Sequence, residues 1–349
     1  MSVAVFGLVL TGAMSVPAGA GSNASAVCPW KASPPPEAQS PVLQAVDAIS
    51  SSEAWIVGYD NISSSEARAL TARWGGHAWR VVEAPSPSSD TLLTDVLALS
   101  SGDVWAVGEY QTPEFTWHTL AEHWDGLAWS QVPTPDAAQG ISGLNAVGGA
   151  APNDLWAVGN PTLHWDGVQW QVATLADESA SLYDVAAVAT DDVWAVGTDA
   201  TGTHAEHWDG SAWTVVPTPD RSAYSNGFTS VAARSSGDVS AVGSTFFNEH
   251  QIASLAEHWD GAAWSIVPSQ NPSNINRLEA VAAVGSNDAW AVGSVGATAD
   301  SMTEHWDGTG WHSFPIPRPP GHRSGMFDVT TIPGDGLWAV NINTIFHHC

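Results

Sequence analysis

Short apolar runs alternate with clusters of Gly, Pro, Asp and Ser along this chain, and no segment sustains a 3.6-residue period. TDVLALS (94–100) alternates as a half-buried strand, and DVWAVG (103–108) follows a Ser-Gly-Asp turn as a second. TLAEHWD and AWSQVP then flank an Asp-Gly pair, the signature of a tight hairpin, and Pro133 and Pro135 end the outer strand. One unit therefore predicts four strands. The unit recurs. Its outer Trp falls at Trp79, Trp129, Trp170, Trp213, Trp264 and Trp311, at spacings of 41 to 51 residues, and seven versions of the VWAVG module precede or follow these positions. That period suits a four-stranded propeller blade.

Seven second-strand modules stand against six complete outer hairpins. The C-terminus supplies FDVTTIP, GLWAVN and TIFHHC and then stops, while CPWKASPPP near the N-terminus resembles the missing outer strand, with Trp30 one repeat before Trp79. The expected fold is thus all-β: a seven-bladed β-propeller of four-stranded blades over residues 27–349, the seventh blade closed by the N-terminal strand. Cys28 and Cys349, the two cysteines of the chain, align on either side of the missing turn, so a disulfide between them is expected.

Residues 1–26 read as a secretory signal peptide: an apolar run broken at Thr11-Gly12 and Pro17, followed by small residues with A-x-A sites. A secreted, extracellular protein is expected, with no membrane insertion once the signal is removed. Asp and Glu number 36 against 9 Lys and Arg, a formal net charge of -27. Such a surface repels phosphates and makes nucleic acid a poor partner, leaving neutral or cationic ligands. A monomer is expected.

The repeated Glu-His-Trp-Asp reads as a building part. Large aromatics at one position per unit fill the wedge between stacked sheets, and one His per unit around a ring cannot converge on one metal. The unit VWAVG, loop, AEHWDGLAWSQVPTP resembles the kelch repeat, with a single Gly (Gly108, Gly197, Gly293) for the usual pair, Trp124 for Tyr and Gly126 for Pro. The resemblance covers residues 28–349 and implies the propeller fold, also shared by galactose oxidase, but hardly any activity. The copper chemistry of galactose oxidase needs a Tyr crosslinked to Cys and two axial His. Both cysteines are expected at the closure, so that chemistry is not expected, and Ser101 to Trp105 does not match a sialidase Asp-box.

Function is expected where the units diverge, at the face carrying the loops that follow the second and fourth strands. Trp117, Tyr183, Phe246 and Phe247 lie in or beside those loops. Alignment of the innermost strands places Gln44, Asp95, Asn145, Asp184, Ser230, Glu279 and Asp328 at one level, predicting a ring of acids and amides around the channel mouth. Asp95, Asp184, Glu279 and Asp328, with the four aromatics, are the candidate ligand-binding residues. No catalytic or resident metal site is expected, and Ca2+ is the ion such a ring would attract. The function expected is a non-catalytic binding or scaffold propeller for a glycan or protein ligand. The alternative is a polysaccharide hydrolase or lyase using the mouth carboxylates.

Overall fold

The computed structural model describes residues 29–219, 224–248, 250–317, 324–334 and 336–349. The signal peptide expected at 1–26 lies outside them. The described residues form 28 strands. After β1 (Lys31–Ser33) come β2 (Pro41–Ser50), β3 (Glu53–Ser63), β4 (Glu66–Trp74) and β5 (Trp79–Val82), then β6 (Asp90–Ser100), β7 (Asp103–Gln111), β8 (Trp117–Trp124) and β9 (Trp129–Val132). The third unit comprises β10 (Gly143–Ala151), β11 (Asp154–Asn160), β12 (Leu163–Trp165) and β13 (Trp170–Val172). The fourth comprises β14 (Ser181–Ala189), β15 (Asp192–Thr198), β16 (Thr203–Trp208) and β17 (Trp213–Val215). The fifth comprises β18 (Ser225–Ser235), β19 (Asp238–Asn248), β20 (Gln251–Trp259) and β21 (Trp264–Ile266). There follow β22 (Asn276–Gly285), β23 (Asp288–Val295), β24 (Asp300–Trp306) and β25 (Trp311–Ser313), and finally β26 (Met326–Ile332), β27 (Gly336–Asn341) and β28 (Thr344–His348).

The expectation of seven separate four-stranded blades requires correction. Five sheets are four-stranded blades, and the other eight strands, β2 to β9, form one continuous sheet. The merger comes from a parallel pairing of β4 with β6 at Ala67 and Asp90, sealed by Ala67 N–H donating to Ser89 C=O at 2.9 Å. A comparable parallel contact of Ile252 with Ile275 falls just before β22 and leaves its two sheets separate. Around the axis, β2, β6, β10, β14, β18, β22 and β26 contact one another in succession, and β26 contacts β2. The N-terminal strand closes this ring: β1 pairs antiparallel with β28, Lys31 opposite His347, as the outer strand of the last blade. The disulfide expected between Cys28 and Cys349 falls on Cys28, outside the described residues.

The VWAVG strands are apolar on both faces because sheets pack on both sides of them. In β7, Val104 and Ala106 enter the core shared with β3, while Trp105 and Val107 enter the core shared with β11. The Gly ending each run has a steric reason. At Gly108 a Cβ would collide with the Leu92 carbonyl, where β6 bulges between Leu93 and Asp95.

The Trp residues interlock between neighbouring units. Trp55 of β3 meets Trp124 and Trp129 of the next unit at ring-centroid distances of 5.0 and 5.3 Å, and Trp105, Trp156 and Trp194 repeat the arrangement with the units that follow them. Trp338 does the same with Trp74 and Trp79 across the closure. The inner-hairpin Trp of each trio is nearly fully buried. Ser240 takes that position in the fifth unit, and among the described residues Trp306 and Trp311 meet no third ring.

Candidate functional site

The remaining parts of the repeated motif are absorbed locally. His123, His164, His207, His258 and His305 each place Nε2 2.6 to 3.1 Å from the Asp that opens the preceding strand of the same unit. Arg73 with Glu53, at 2.6 Å, replaces that pair in the first unit. Each motif Asp accepts backbone N–H groups two and three residues ahead, as Asp125 does from Leu127 and Ala128 at 2.8 and 2.9 Å. The following Gly126 has φ of +93°. The motif Glu is deeply buried. Glu206 accepts Ala176 and Asp177 N–H, both at 2.9 Å, and Glu304 accepts Gln270 N–H at 3.1 Å. Glu122 has no partner for either carboxyl oxygen, and desolvation pushes its pKa up to about 8.

The innermost strands correct the expected alignment by one residue. Every inner strand bulges near its start, and the inserted residues are Gln44, Thr94, Asn145, Tyr183, Thr229, Glu279 and Phe327. Asp95, Asp184, Ser230 and Asp328 lie one position later, so Glu279 and these aspartates are not at one level. The aspartates tie neighbouring units together. Asp95 accepts Val147 N–H at 2.7 Å, Asp184 accepts Val231 N–H at 2.8 Å, and Asp328 accepts Val46 N–H at 2.8 Å. Asp47, not singled out from the sequence, accepts Ala98 N–H at 2.8 Å in the same manner. These four line a channel cavity of about 360 Å³. Desolvation raises all four pKa values, Asp184 to about 6 and Asp328 to about 7, and mutual repulsion adds to the rise at Asp95 and Asp328. Glu279 is half-buried and raised by desolvation, with Arg277 opposing the rise. The four aspartates are therefore structural acceptors, poorly suited to gathering charge.

The four aromatics are spread over three units, with Phe246 and Phe247 together on β19. Trp117 is half-buried and pairs with Gln111, the Phe246 ring lies 6.0 Å beneath the Arg277 guanidinium, and Phe247 is exposed beside it. Tyr183 stands apart from these, 42% exposed, at the wall of a rim notch of about 450 Å³.

That notch follows from unit length. The third unit is the shortest: β11 and β12 are joined by two residues, Pro161 and Thr162, and β12 has three. Its rim is low, and its taller neighbours wall it, with Glu109 on one side and Tyr183 with Glu178 on the other. Asn145 and Asn160 donate to the Leu182 and Ile141 carbonyls at 2.7 and 2.8 Å, fixing the floor. Gly143 admits the Glu109 carboxylate, into which a Cβ would run. Desolvation and the charge of Asp90 raise the Glu109 pKa. Neither its carboxylate nor the Tyr183 hydroxyl has a hydrogen-bond partner among the described residues. The larger groove over the first unit, about 820 Å³, contrasts with this. There Asp60 caps Gln39 and Ser40, and Glu66 pairs with Arg68 at 2.6 Å. Glu109 escaped notice in the sequence because its environment depends on the length of a neighbouring loop.

No family model matches the chain, so the kelch-like assignment reduces to the broader statement of a β-propeller. No curated protein matches. Among solved structures, the chain is similar to "YCF48 bound to D1 peptide" (15% identity, TM-score 0.62, covering 92% of this chain and 96% of that one). It is similar to a streptogramin B lyase (10% identity, TM-score 0.64, 92% and 98%). The GH74 xyloglucanase of Xanthomonas campestris shares 13% identity at TM-score 0.62, over 90% of this chain and 52% of that one. At these identities the similarity establishes the propeller fold alone.

Proposed function

We propose that this protein is an extracellular, non-catalytic binding propeller whose rim notch takes a protein segment presenting a cationic side chain. The observation that carries the reading is the pairing, across one notch, of a carboxylate without a partner, Glu109, and an exposed aromatic, Tyr183. A Lys or Arg side chain supplies what both lack, a charge-assisted hydrogen bond and a cation over a ring. The net charge of -27 attracts such a segment at long range, and the leader-like N-terminus supports an exported location. The structural neighbour described as bound to a peptide lends the fold a precedent for peptide binding. Hydrolase or lyase chemistry is disfavoured because the channel carboxyls are engaged by backbone N–H groups.

The test is biolayer interferometry of the mature protein against a peptide array varied in Lys, Arg, Gln and Glu, with a glycan array alongside. Preference for Lys or Arg peptides is expected, weakened about tenfold or more by Glu109→Gln and by Tyr183→Ala at unchanged Tm. Peptide binding indifferent to both substitutions would remove the notch as the site. Binding or turnover of a glycan that persists in both variants would replace the reading with a carbohydrate-directed one.

A further inference from the structure

We propose that Asp177, Asp199 and His204 bind a divalent transition-metal ion of the Zn2+ class, with Glu206 orienting the histidine. Asp177 lies in the connection between β13 and β14, Asp199 immediately follows β15, and His204 and Glu206 stand two residues apart on β16. Each of the first three offers a ligand atom within 4.8 Å of the others. His204 is 1% exposed and Glu206 fully buried.

The argument begins with proton counting around the ring. His204 Nδ1 lies 3.0 Å from Asp199 Oδ2, and Nε2 lies 3.1 Å from Glu206 Oε1. A neutral imidazole has one N–H, and carboxylates only accept, so at most one of these contacts is a hydrogen bond unless a further cation is present. Glu206 takes the N–H. It is fixed by Ala176 and Asp177 N–H, and a buried carboxylate holding one ring nitrogen sets the tautomer and aims the other at a metal. The Nδ1 lone pair then faces Asp199 Oδ2, an arrangement of two acceptors that only a shared cation makes favourable.

A third donor distinguishes a metal ion from a proton. A proton on Nδ1 would need Asp199 alone, yet Asp177 also converges, anchored through Oδ1 by Ser179 N–H at 2.9 Å and its hydroxyl at 2.6 Å. Asp199 is anchored likewise, Oδ1 accepting Thr201 N–H at 2.6 Å and Gly202 N–H at 3.1 Å. Tetrahedral Zn2+ with bonds of about 2.0 to 2.1 Å separates its ligand atoms by roughly 3.3 Å, close to the Nδ1–Oδ2 distance. One imidazole and two carboxylates suit Zn2+, whereas Ca2+ demands six or more oxygens. The motif histidines are not equivalents. They are partly exposed, and no other such group of three occurs among the described residues.

The experiment is calorimetric titration of the EDTA-treated mature chain with ZnCl2 at about pH 7.5, followed by X-ray absorption at the zinc edge. One equivalent is expected to bind, with nitrogen and oxygen neighbours only. Asp177→Asn should lower the affinity at least tenfold while leaving the metal-free Tm unchanged, because it spares the contacts of His204 with Asp199 and Glu206. His204→Gln should abolish binding. If that variant does not fold, Asp177→Asn still decides the matter. No stoichiometric uptake, equal uptake by Asp177→Asn, or tighter binding of Ca2+ would each overturn the proposal. The site is independent of the notch reading, since peptide binding by a protein that takes up no Zn2+, or the converse, separates the two.

Discussion

Glu122 is a carboxylic acid enclosed on all sides by protein, and its neutrality has a cause in one residue of the preceding unit. Ala176 and Gln270, which donate to Glu206 and Glu304, lie six residues after the outer-strand Trp170 and Trp264; the same offset from Trp79 is Pro85, which has no N–H. Glu122 at about 8, Glu304 and Asp328 at about 7 and Asp184 at about 6 all lie above the values of an unfolded chain. A raised acid means that the folded state holds more protons than the unfolded state. The stability these groups support is therefore complete only below their ordinary values, 3.8 for the aspartates and 4.5 for the glutamates, and declines as pH rises through their folded pKa values. The protein should be more stable at about pH 5 than at about pH 8, Glu122 alone contributing on the order of 3 kcal/mol to the difference. Thermal melts across this range should show the slope, and Glu122→Gln should flatten it. Glu122 and Trp124 stand two residues apart on one strand and so share a face, a local sign of burial, but the missing donor belongs to another unit and becomes visible only when the two are packed.

At the scale of the element, the inner strands owe their cohesion to side chains reaching across sheets. Asp184→Ala leaves the Val231 N–H without its acceptor and should cost about 1 to 3 kcal/mol, read by urea melts. Trp208→Ala opens the space between Trp156 and Trp213 and should cost about 3 to 5 kcal/mol, with peptide affinity nearly unchanged while the fold persists. The strands, hairpins and wedge Trp residues were legible because period, Asp-Gly turns and aromatics each state a local rule. The ring of acids was legible in outline and misplaced by one residue. A bulge leaves no mark in an alignment, so Glu279 was matched with Asp95 when its structural counterpart is Thr94. The merger of β4 with β6 was likewise hidden, since whether Ala67 meets a strand or a loop turns on where β6 begins.

The whole molecule is a ring held shut by β1 on β28. We propose that a Cys28–Cys349 disulfide secures that closure, and the chain-entropy model assigns such a long loop roughly 5 kcal/mol at most. A nonreduced digest should yield the linked terminal peptides, and reduction should lower the Tm; two free thiols would refute the bond. A ring has no end at which to fray, so its native fluctuations begin at whichever junction is weakest. We expect Ser240 to mark that junction, because the fifth unit presents a hydroxymethyl group where its neighbours present an indole, and Ser230 grips Val281 N–H at 3.2 Å where Asp95 and Asp184 hold theirs at 2.7 and 2.8 Å. In hydrogen–deuterium exchange, the amides of β20 and β22 should lose protection before those of β14 and β16, and Ser240→Ala should leave that order intact. The protein then breathes through one preferred gap, and a protease or chaperone that captures partly opened chains would find them open at the same place each time.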